Sequence, residues 1–429
     1  MSSSVKLSGN WTGNIICWKP IEAFSDRACS KVVNRQMALT PLITQDRAPG
    51  DLQDAIVELM RLDAALYAKI PSPLRLPMMN LLRKVNSYYS NKIEGNSTLP
   101  ADVLRAQEVQ GDVRIGDELL EIKRHIEAQR RLTDDPIDKV EICTKGAISR
   151  MHREFYEAMP DDLLNIKVNA EGDSVRLVPG EFRERGVKVG NHIPPTAENL
   201  GSYMNWFESA YRLDRHHGIA PVLAAAAAHH RLMWIHPFMD GNGRTGRLFT
   251  DQYLKAGGLG GYGLWSMSRG FGRNVEAYYA ALNAADHVRK GDLDGRGELS
   301  DSGLLRFTRY FVETALDQLK YFSALLEPRM LSQRIDIYFQ QRHQGAFISG
   351  KGEVLPPLRI EACDVYKDLL YHGDQQRAEI QSRLGFSERT TRTLLSQMAD
   401  EGLIKLDGRK PVALNLSRHS IEFLFPSLW

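Results

Sequence analysis

The sequence has few cysteines, almost no net charge and no long apolar run. Its four cysteines, Cys17, Cys29, Cys143 and Cys363, form no CxxC pair, so neither a zinc site nor a disulfide framework is predicted. A net charge of +2 does not indicate nucleic-acid or membrane binding. No apolar run reaches about 18 residues, and the N-terminus lacks the charged-then-apolar layout of a secretory signal. We therefore expect a cytoplasmic protein with free thiols and no transmembrane span.

The length of 429 residues exceeds one ordinary domain, and the composition, 43% apolar and 25% charged, is that of a globular protein. Few periodic stretches occur before residue 51, so we predict an N-terminal arm over 1–50. A long helical part is predicted over 51–343. The run QGAFISGKGEVLPP predicts a linker over 344–357, and a separate unit is predicted over 358–429.

The twelve residues His236–Arg247, HPFMDGNGRTGR, carry the most chemistry. An apolar, alanine-rich run precedes them and a segment with helical spacing follows, so they are predicted to join two helices. Their glycines let backbone N–H groups face a ligand closely. The N-terminus of the second helix favours an anion.

The charged side chains of this run suit a metal-bound polyphosphate. Arg244 and Arg247 supply fixed positive charge for phosphate oxygens. Asp240 supplies a hard oxygen ligand of the kind that Mg²⁺ takes when it also binds phosphates. His236 lies at the edge of the run, where a general base would act. The residue types therefore predict a polyphosphate site with a base beside it.

A second stretch of interest, Ser90–Gly95, lies at the end of a helix predicted over about 78–93. Ser90 and Glu94 are four residues apart and share one helix face. Gly95 fits a left-handed stop just past the helix. On spacing alone, a solvated face followed by an ordinary cap is the preferred interpretation.

Helical spacing dominates from Asp51 to Leu326, with one interruption. Residues 170–195 contain glycine, proline and the alternating run Val187-Lys188-Val189, which predicts a short β-hairpin. The fold class predicted for this part is therefore mainly α with one small hairpin.

The last 72 residues have a pattern of their own. Helices are predicted at Cys363–Leu370, Arg377–Leu384 and Thr390–Glu401, followed by a β-hairpin from Leu403 to Leu416. This is a winged-helix layout. Its functional interpretation is DNA binding through basic residues: Arg389, Arg392, Lys405, Arg409 and Lys410. Acidic residues beside the two helical arginines weaken that footprint, so a protein-interaction unit is slightly favoured.

The central run resembles the signature of the Fic (AMP-transferase) family, H-x-F-x-[D/E]-G-N-G-R-x-x-R, with every fixed position filled. The resemblance covers roughly Leu81–Leu326 and implies a helical bundle with a β-hairpin flap. It implies transfer of AMP from ATP to Ser, Thr or Tyr hydroxyls, with release of pyrophosphate.

The resemblance also implies roles for single residues. His236 would take the proton from the target hydroxyl, and Asp240 would hold Mg²⁺ on the phosphates. The expected nucleotide-binding residues are Asp240, Gly241, Asn242, Gly243, Arg244, Thr245, Gly246, Arg247, Tyr278, Tyr279 and Asp286. Of the two tyrosines, one is expected in the core and one at the nucleotide, because helix neighbours point apart. The flap, Val187, Lys188, Val189 and Gly190, would pair with an extended target segment.

The stretch Ser90–Gly95 resembles the family's inhibitory motif, [S/T]-x-x-x-E-[G/N]. The resemblance implies an N-terminal inhibitory helix over 78–96, with Glu94 pairing with Arg247 and displacing the γ-phosphate contact. In some family members the same glutamate serves to remove AMP from a target.

Two classes of function follow. The first is an auto-inhibited protein adenylyltransferase that uses ATP and Mg²⁺ and acts on other proteins or on itself, with removal of AMP as a second activity. The alternative is a winged-helix DNA-binding regulator whose Fic site senses nucleotide. A second copy of the chain is a candidate partner, and no membrane partner is expected.

Overall fold

The computed structural model describes residues 16–17, 39–105, 116–167, 174–190, 192–350, 352 and 354–429. Within these residues the fold is mainly helical, as predicted, with three two-stranded antiparallel sheets. The helices up to residue 325 are α1 (Gly50–Lys69), α2 (Ser72–Ile93), α3 (Pro100–Arg105), α4 (Asp117–Asp134), α5 (Lys145–Tyr156), α6 (Ala197–Tyr211), α7 (Ala220–Ile235), α8 (Asn242–Ala256), α9 (Met267–Arg273), α10 (Val275–Asp286) and α11 (Asp301–Leu325). We call these helices the central bundle.

The helix α7 forms the centre of the bundle. Its side chains from Val222 to Ala228 are all buried, and it packs against α6, α8 and α11. The run of alanines lets these neighbours approach closely, because an alanine side chain adds little bulk. Two histidines near its end, His229 and His230, are fully buried and hydrogen-bonded. The signature run therefore begins at the end of a buried helix.

The helix α2 begins at Ser72, six residues before the predicted start at Met78. Pro73 lies in its first turn, where the missing N–H has no partner to lose. Pro77 lies inside the helix and removes one hydrogen bond without ending it. The start predicted at about residue 78, just after Pro77, was therefore wrong, and α2 is longer at its N-terminal end.

The hairpin predicted over 170–195 lies further upstream. Strands β2 (Asn165–Lys167) and β3 (Ser174–Arg176) pair with each other. Strand β4 (Val187–Lys188) pairs instead with β1 (Ile16–Cys17), with Ile16 opposite Lys188. Val189 makes a single bridge with His192. The flap is therefore a two-residue strand followed by a tight turn.

Residues 39–48 of the predicted arm pack on the central bundle. Leu39 and Ile43 are buried, the Tyr211 hydroxyl donates to Pro41 O, and Arg231 donates to Thr40 O. The predictions for the rest of the arm lie outside the described residues, apart from the pairing of Ile16–Cys17. None of the helices that the structure describes is long and apolar enough to cross a bilayer.

The C-terminal elements contain the three helices and the hairpin in the predicted order, with one more helix before them and one more after them. They are α12 (Pro328–His343), α13 (Ala362–His372), α14 (Arg377–Leu384), α15 (Glu388–Asp400), β5 (Ile404–Lys405), β6 (Ala413–Leu414) and α16 (Arg418–Leu424). The helix α13 packs against α2. The side chains of Arg389, Arg392, Lys405, Arg409 and Lys410 are exposed. The winged-helix assignment, DNA binding and the domain boundaries stay predictions.

Candidate active site

The joint between α7 and α8 places His236 in an unusual backbone conformation. His236 caps α7 with φ 51°, in the left-handed region, which is uncommon for a residue other than glycine. Its Nδ1–H donates to Met233 O at 3.3 Å. The Nε2 atom therefore keeps its lone pair and is the ring atom that can accept a proton. Burial, with the charges of His192 and Arg183, lowers the pKa of His236 to about 3, so the ring is neutral near pH 7.

The loop between the helices is fixed by a glycine and an asparagine. Gly241 precedes α8 with φ 73°, and a Cβ atom there would lie 2.4 Å from the Tyr156 ring, so only glycine fits. The Asn242 side chain donates to Phe238 O at 2.8 Å and accepts from Phe238 N at 2.9 Å. The Asn242 side chain thus holds the loop.

The first N–H groups of α8 are those that a helix leaves unpaired. The N–H of Thr245 already donates to Gly241 O at 2.9 Å, so it is not available to an anion. Thr245 is buried and Gly246 lies within the helix. Of the residues 241–247, those in the first turn of α8 therefore have the backbone N–H groups that remain for an anion.

Asp240 faces a tyrosine and an arginine. Its Oδ2 accepts from the Tyr156 hydroxyl at 2.6 Å and from Arg244 Nη2 at 3.3 Å. Burial alone would raise the pKa of Asp240, but the charge of Arg244 and the Tyr156 hydroxyl lower it below its ordinary value. The carboxyl group is therefore an anion. In the described part of the chain no cluster of three or more His, Cys, Asp or Glu side chains is arranged for a metal, so a cation here would rest on one carboxylate and on phosphate oxygens.

Arg247 is held by residues of the stretch Ser90–Gly95. Its Nη2 donates to Glu94 Oε1 at 2.6 Å and to Ser90 O at 2.9 Å, and its Nε donates to Ser90 Oγ at 2.7 Å. The Arg247 side chain is 1% exposed and that of Glu94 is 32% exposed. Arg247 Nη1 is buried and has no hydrogen-bond partner. This orphaned donor fits an additional acceptor, such as a phosphate oxygen.

The end of α2 brings Glu94 to this position. Gly95 has φ 92° just past the helix, so the predicted glycine stop is present. A Cβ atom on Gly243 would lie 2.0 Å from Glu94 Oε1, so the carboxylate fits only because residue 243 is glycine. The Tyr279 hydroxyl donates to Ile93 O at 3.0 Å and helps to hold the helix end in place.

The remaining predicted site residues are more dispersed. Tyr278 is fully buried and its hydroxyl bonds His229 Nε2 at 2.8 Å, whereas Tyr279 is 44% exposed. The two rings thus differ in exposure, as helix geometry requires. The Asp286 carboxylate is hydrogen-bonded to His230 Nε2 at 3.0 Å.

The flap residues differ in burial. Val187 is buried, Lys188 is half-buried, and Val189 and Gly190 are exposed. The backbone edge of Val187 and Lys188 already pairs with β1.

Several site residues have no marker in the sequence. Tyr156 and His152 lie four residues apart on α5, and His152 accepts from Gly180 N at 2.8 Å through Nδ1 and donates to Asp240 O at 3.2 Å through Nε2. The His152 ring stacks on Phe238 with the centroids 3.9 Å apart. The available signal for His152 and Tyr156 is that two polar aromatic residues share one face of a half-buried helix. Arg183 and Glu121 were also missed.

Residues 143–254 match the Fic/DOC family model. The protein adenylyltransferase Fic of Nematostella vectensis is 27% identical over 266 residues, which cover 59% of this chain and 57% of that protein. The protein of the same name from Drosophila erecta is 33% identical over 173 residues, covering 40% of this chain and 32% of that protein. The chain thus spans from a third to somewhat more than half of the length of these relatives.

Two solved structures are also similar. A Fic family protein from Desulfovibrio desulfuricans G20 is 17% identical with a TM-score of 0.47, covering 84% of this chain and 96% of that one. A Fic domain containing signaling protein from Bacteroides thetaiotaomicron is 21% identical with a TM-score of 0.47, covering 62% and 96%. The family match and the curated relatives thus show that residues 143–254 of this chain are similar to the Fic/DOC family.

Proposed function

We propose that the chain is a protein adenylyltransferase that transfers AMP from ATP to a protein hydroxyl and that α2 holds it in an inhibited state. The observation that carries this proposal is the contact of Glu94 with Arg247 at the N-terminus of α8. A carboxylate there occupies a position suited to a phosphate oxygen. The names of the curated relatives support the same reaction.

The proposed reaction is a single displacement at the α-phosphorus. The oxygen of a Ser, Thr or Tyr hydroxyl forms a bond to that phosphorus, and the bond to the bridging oxygen of the β-phosphate breaks. Pyrophosphate leaves with the electron pair, and the hydroxyl proton passes to Nε2 of His236. Because Nδ1–H of His236 is directed at Met233 O, the lone pair of Nε2 is available to accept that proton.

The triphosphate would meet the first turn of α8 and its two arginines. The unpaired N–H groups favour the phosphate anion, and Arg244 and Arg247 neutralise its charge. Asp240 would hold Mg²⁺, which would neutralise phosphate charge and orient the oxygens. A single anionic carboxylate beside a phosphate site suits that ion, which is commonly bound by one or two carboxylates with phosphates.

Inhibition would follow from competition for Arg247. While Glu94 accepts from Nη2, the γ-phosphate lacks its full clamp, and ATP binds in a pose that does not align the α-phosphorus with the target hydroxyl. Orientation of this kind controls the rate of group transfer strongly. The same glutamate would also direct a water molecule in the removal of AMP from a modified target, which belongs to this proposal.

Targets would dock on the flap. An extended segment that pairs with Val187 and Lys188 would bring a hydroxyl towards His236. The pairing of Ile16–Cys17 with this strand supports docking of an antiparallel segment here, and a target would take the place of Ile16–Cys17. The chain itself is one candidate target.

The test measures transfer of label from α-labelled ATP in the presence of Mg²⁺ and a cell lysate. Wild type, Glu94→Gly and Glu94→Gly/His236→Ala are compared. Glu94→Gly should label targets about 10- to 100-fold faster than wild type, because a hydrogen bond between charged groups contributes about 1.5–3 kcal/mol. The double variant should lose transfer by about 10²-fold or more and keep its binding of ATP.

The outcomes separate the parts of the proposal. Labelling that is equal in wild type and Glu94→Gly would remove the inhibition. Labelling that survives in Glu94→Gly/His236→Ala would remove His236 as the base. Absence of label in Glu94→Gly with γ-labelled and α-labelled ATP alike would contradict nucleotidyl transfer, whereas label from γ-labelled ATP alone would indicate phosphate transfer.

A further inference from the structure

Arg183 is a buried arginine outside the signature run. It lies in the segment between β3 and β4 and is 3% exposed. A guanidinium stays charged in proteins, so its burial requires acceptors for its donors. These acceptors are backbone carbonyl groups of two separate parts of the site.

One set of acceptors is the end of α7. Arg183 Nε donates to His236 O at 2.7 Å, and Nη2 donates more weakly to Ile235 O at 3.4 Å. The backbone N–H of Arg183 donates to Pro237 O at 2.9 Å. Arg183 thus binds three consecutive carbonyl groups, those of Ile235, His236 and Pro237.

The other set of acceptors brackets the flap. Nη1 donates to Arg185 O at 2.9 Å, before Val187, and Nη2 donates to Pro195 O at 2.5 Å, after Gly190. One planar guanidinium therefore connects both ends of the flap to the backbone of His236. The donors of a guanidinium point in fixed directions within one plane, so they suit several acceptors that are held in a fixed arrangement.

A helix end leaves its last carbonyl groups without partners in the helix. At α7, His192 Nε2 donates to Trp234 O at 2.7 Å, and Arg183 serves the next three carbonyl groups. His236 itself has φ 51°, a conformation that the surroundings must enforce. The side chains that bind these carbonyl groups thus determine where the His236 ring points.

We propose that Arg183 is a positioning residue for the transfer reaction: it fixes the left-handed backbone of His236 and joins that base to the flap that receives the target. This inference rests on the proposed function of His236. It adds Arg183 as a residue that connects docking of a target on the flap with the direction in which Nε2 of His236 points. Arg183 donates to several backbone carbonyl groups from one planar fork, so a lysine at this position keeps the charge but loses the fork.

The test compares Arg183→Lys with Arg185→Lys, both in the Glu94→Gly background. Arg185 is exposed, so the second variant is a matched control. Arg183→Lys should lower kcat per ATP-binding site by about 10- to 100-fold, because small displacements of a reacting group have effects of this size. The Kd for ATP and the binding stoichiometry by calorimetry should stay unchanged. Arg185→Lys should match the Glu94→Gly parent in kcat, in the Kd for ATP and in the binding stoichiometry.

A second measurement does not depend on turnover. The imidazole resonances of His236, assigned with His236→Gln, should shift in Arg183→Lys and not in Arg185→Lys. A kcat within twofold of the parent, or loss of ATP binding together with kcat, would overturn the positioning role. If Glu94→Gly itself shows no transfer, the proposed function fails, and the resonances alone decide: unchanged resonances in Arg183→Lys overturn the inference.

Discussion

Two arginines three residues apart on α8 are buried alike and paired differently. Arg244 is bound by Asp240, Tyr156 and Glu121, which lie in the signature loop, on α5 and on α4. Arg247 is bound by Ser90 and Glu94 at the end of α2. Burial opposes both charges, yet these partners raise the pKa of each arginine above its ordinary value. Arg244 is thus paired with a carboxylate of its own loop and with Glu121, whereas Arg247 is paired with one carboxylate at the end of α2.

The difference indicates which contacts are permanent and which are replaceable. A buried charge that loses its partner is strongly destabilising, so Arg247 needs an anion at all times. Either the Glu94 carboxylate or a phosphate group can supply that anion. Arg244 pairs with two carboxylates, Asp240 and Glu121, and Asp240 is also the expected cation ligand. We therefore expect substitutions around Arg244 to lower activity and substitutions around Arg247 to raise it.

The largest effect is expected at Asp240. Asp240→Ala in the Glu94→Gly background should lower transfer by about 10²- to 10³-fold, because charge stabilisation at the phosphates is lost. Initial rates with α-labelled ATP measure this loss. Asp292→Ala, at a side chain that is 99% exposed, is the control. A rate within threefold of the parent, or transfer that persists in excess EDTA, would contradict the role of Asp240.

The next effect compares the carboxylates on the two arginines. Glu94→Gln should raise transfer by about tenfold or more, because a neutral amide binds Arg247 more weakly than a carboxylate. Glu121→Gln should change transfer by less than about threefold, because Asp240 and Tyr156 still hold Arg244. Both variants keep the side-chain shape. Equal responses of the two would show that the arginines do not differ as described.

Ligand-induced stabilisation should differ between wild type and Glu94→Gly. If release of Glu94 improves ATP binding by about tenfold, saturating ATP with Mg²⁺ stabilises the variant by about 1.4 kcal/mol more. For a domain of this size that corresponds to about 2–4 °C in Tm. Thermal unfolding at matched protein concentration measures the shift. The difference should shrink when EDTA replaces Mg²⁺, and an equal shift in both proteins would argue against competition.

The smallest effect is expected at Ser90. Ser90→Ala removes the acceptor of Arg247 Nε and leaves the Glu94 contact intact. A net loss of about 0.5–1 kcal/mol should raise transfer by about two- to fivefold. Ser72→Ala, at the exposed start of α2, is the control. A rise as large as that of Glu94→Gln would mean that the hydroxyl, not the carboxylate, is the main inhibitory contact.

Local patterns predicted the local parts of this site. The joint at His236–Arg247 and the end of α2 at Ser90–Gly95 follow from apolar spacing and from glycine, which act over a few residues. The contact between Glu94 and Arg247 joins residues 153 apart in sequence. Spacing alone favoured a solvated face there, and only the family resemblance implied the contact.

The missed residues have roles that only packing creates. Tyr156 meets Asp240 because α5 crosses α8, and Arg183 meets His236 from a segment without helical or strand periodicity. Pro77 misled the prediction for α2, because the loss of one hydrogen bond is tolerated in a helix that packs on α4, α9 and α13. Tertiary packing overrides such local signals.

The anchoring of Glu94 has a quantitative consequence. Its helix end is held by Tyr279 at Ile93 O and by Asn96 at Glu118 O, so the carboxylate acts as a tethered ligand of Arg247. Even a flexible tether gives an effective concentration on the order of millimolar, and a well-matched one more. That value does not change when the protein is diluted, whereas the ATP concentration can. The fraction of chains with a free Arg247 should therefore depend on nucleotide level and not on protein level.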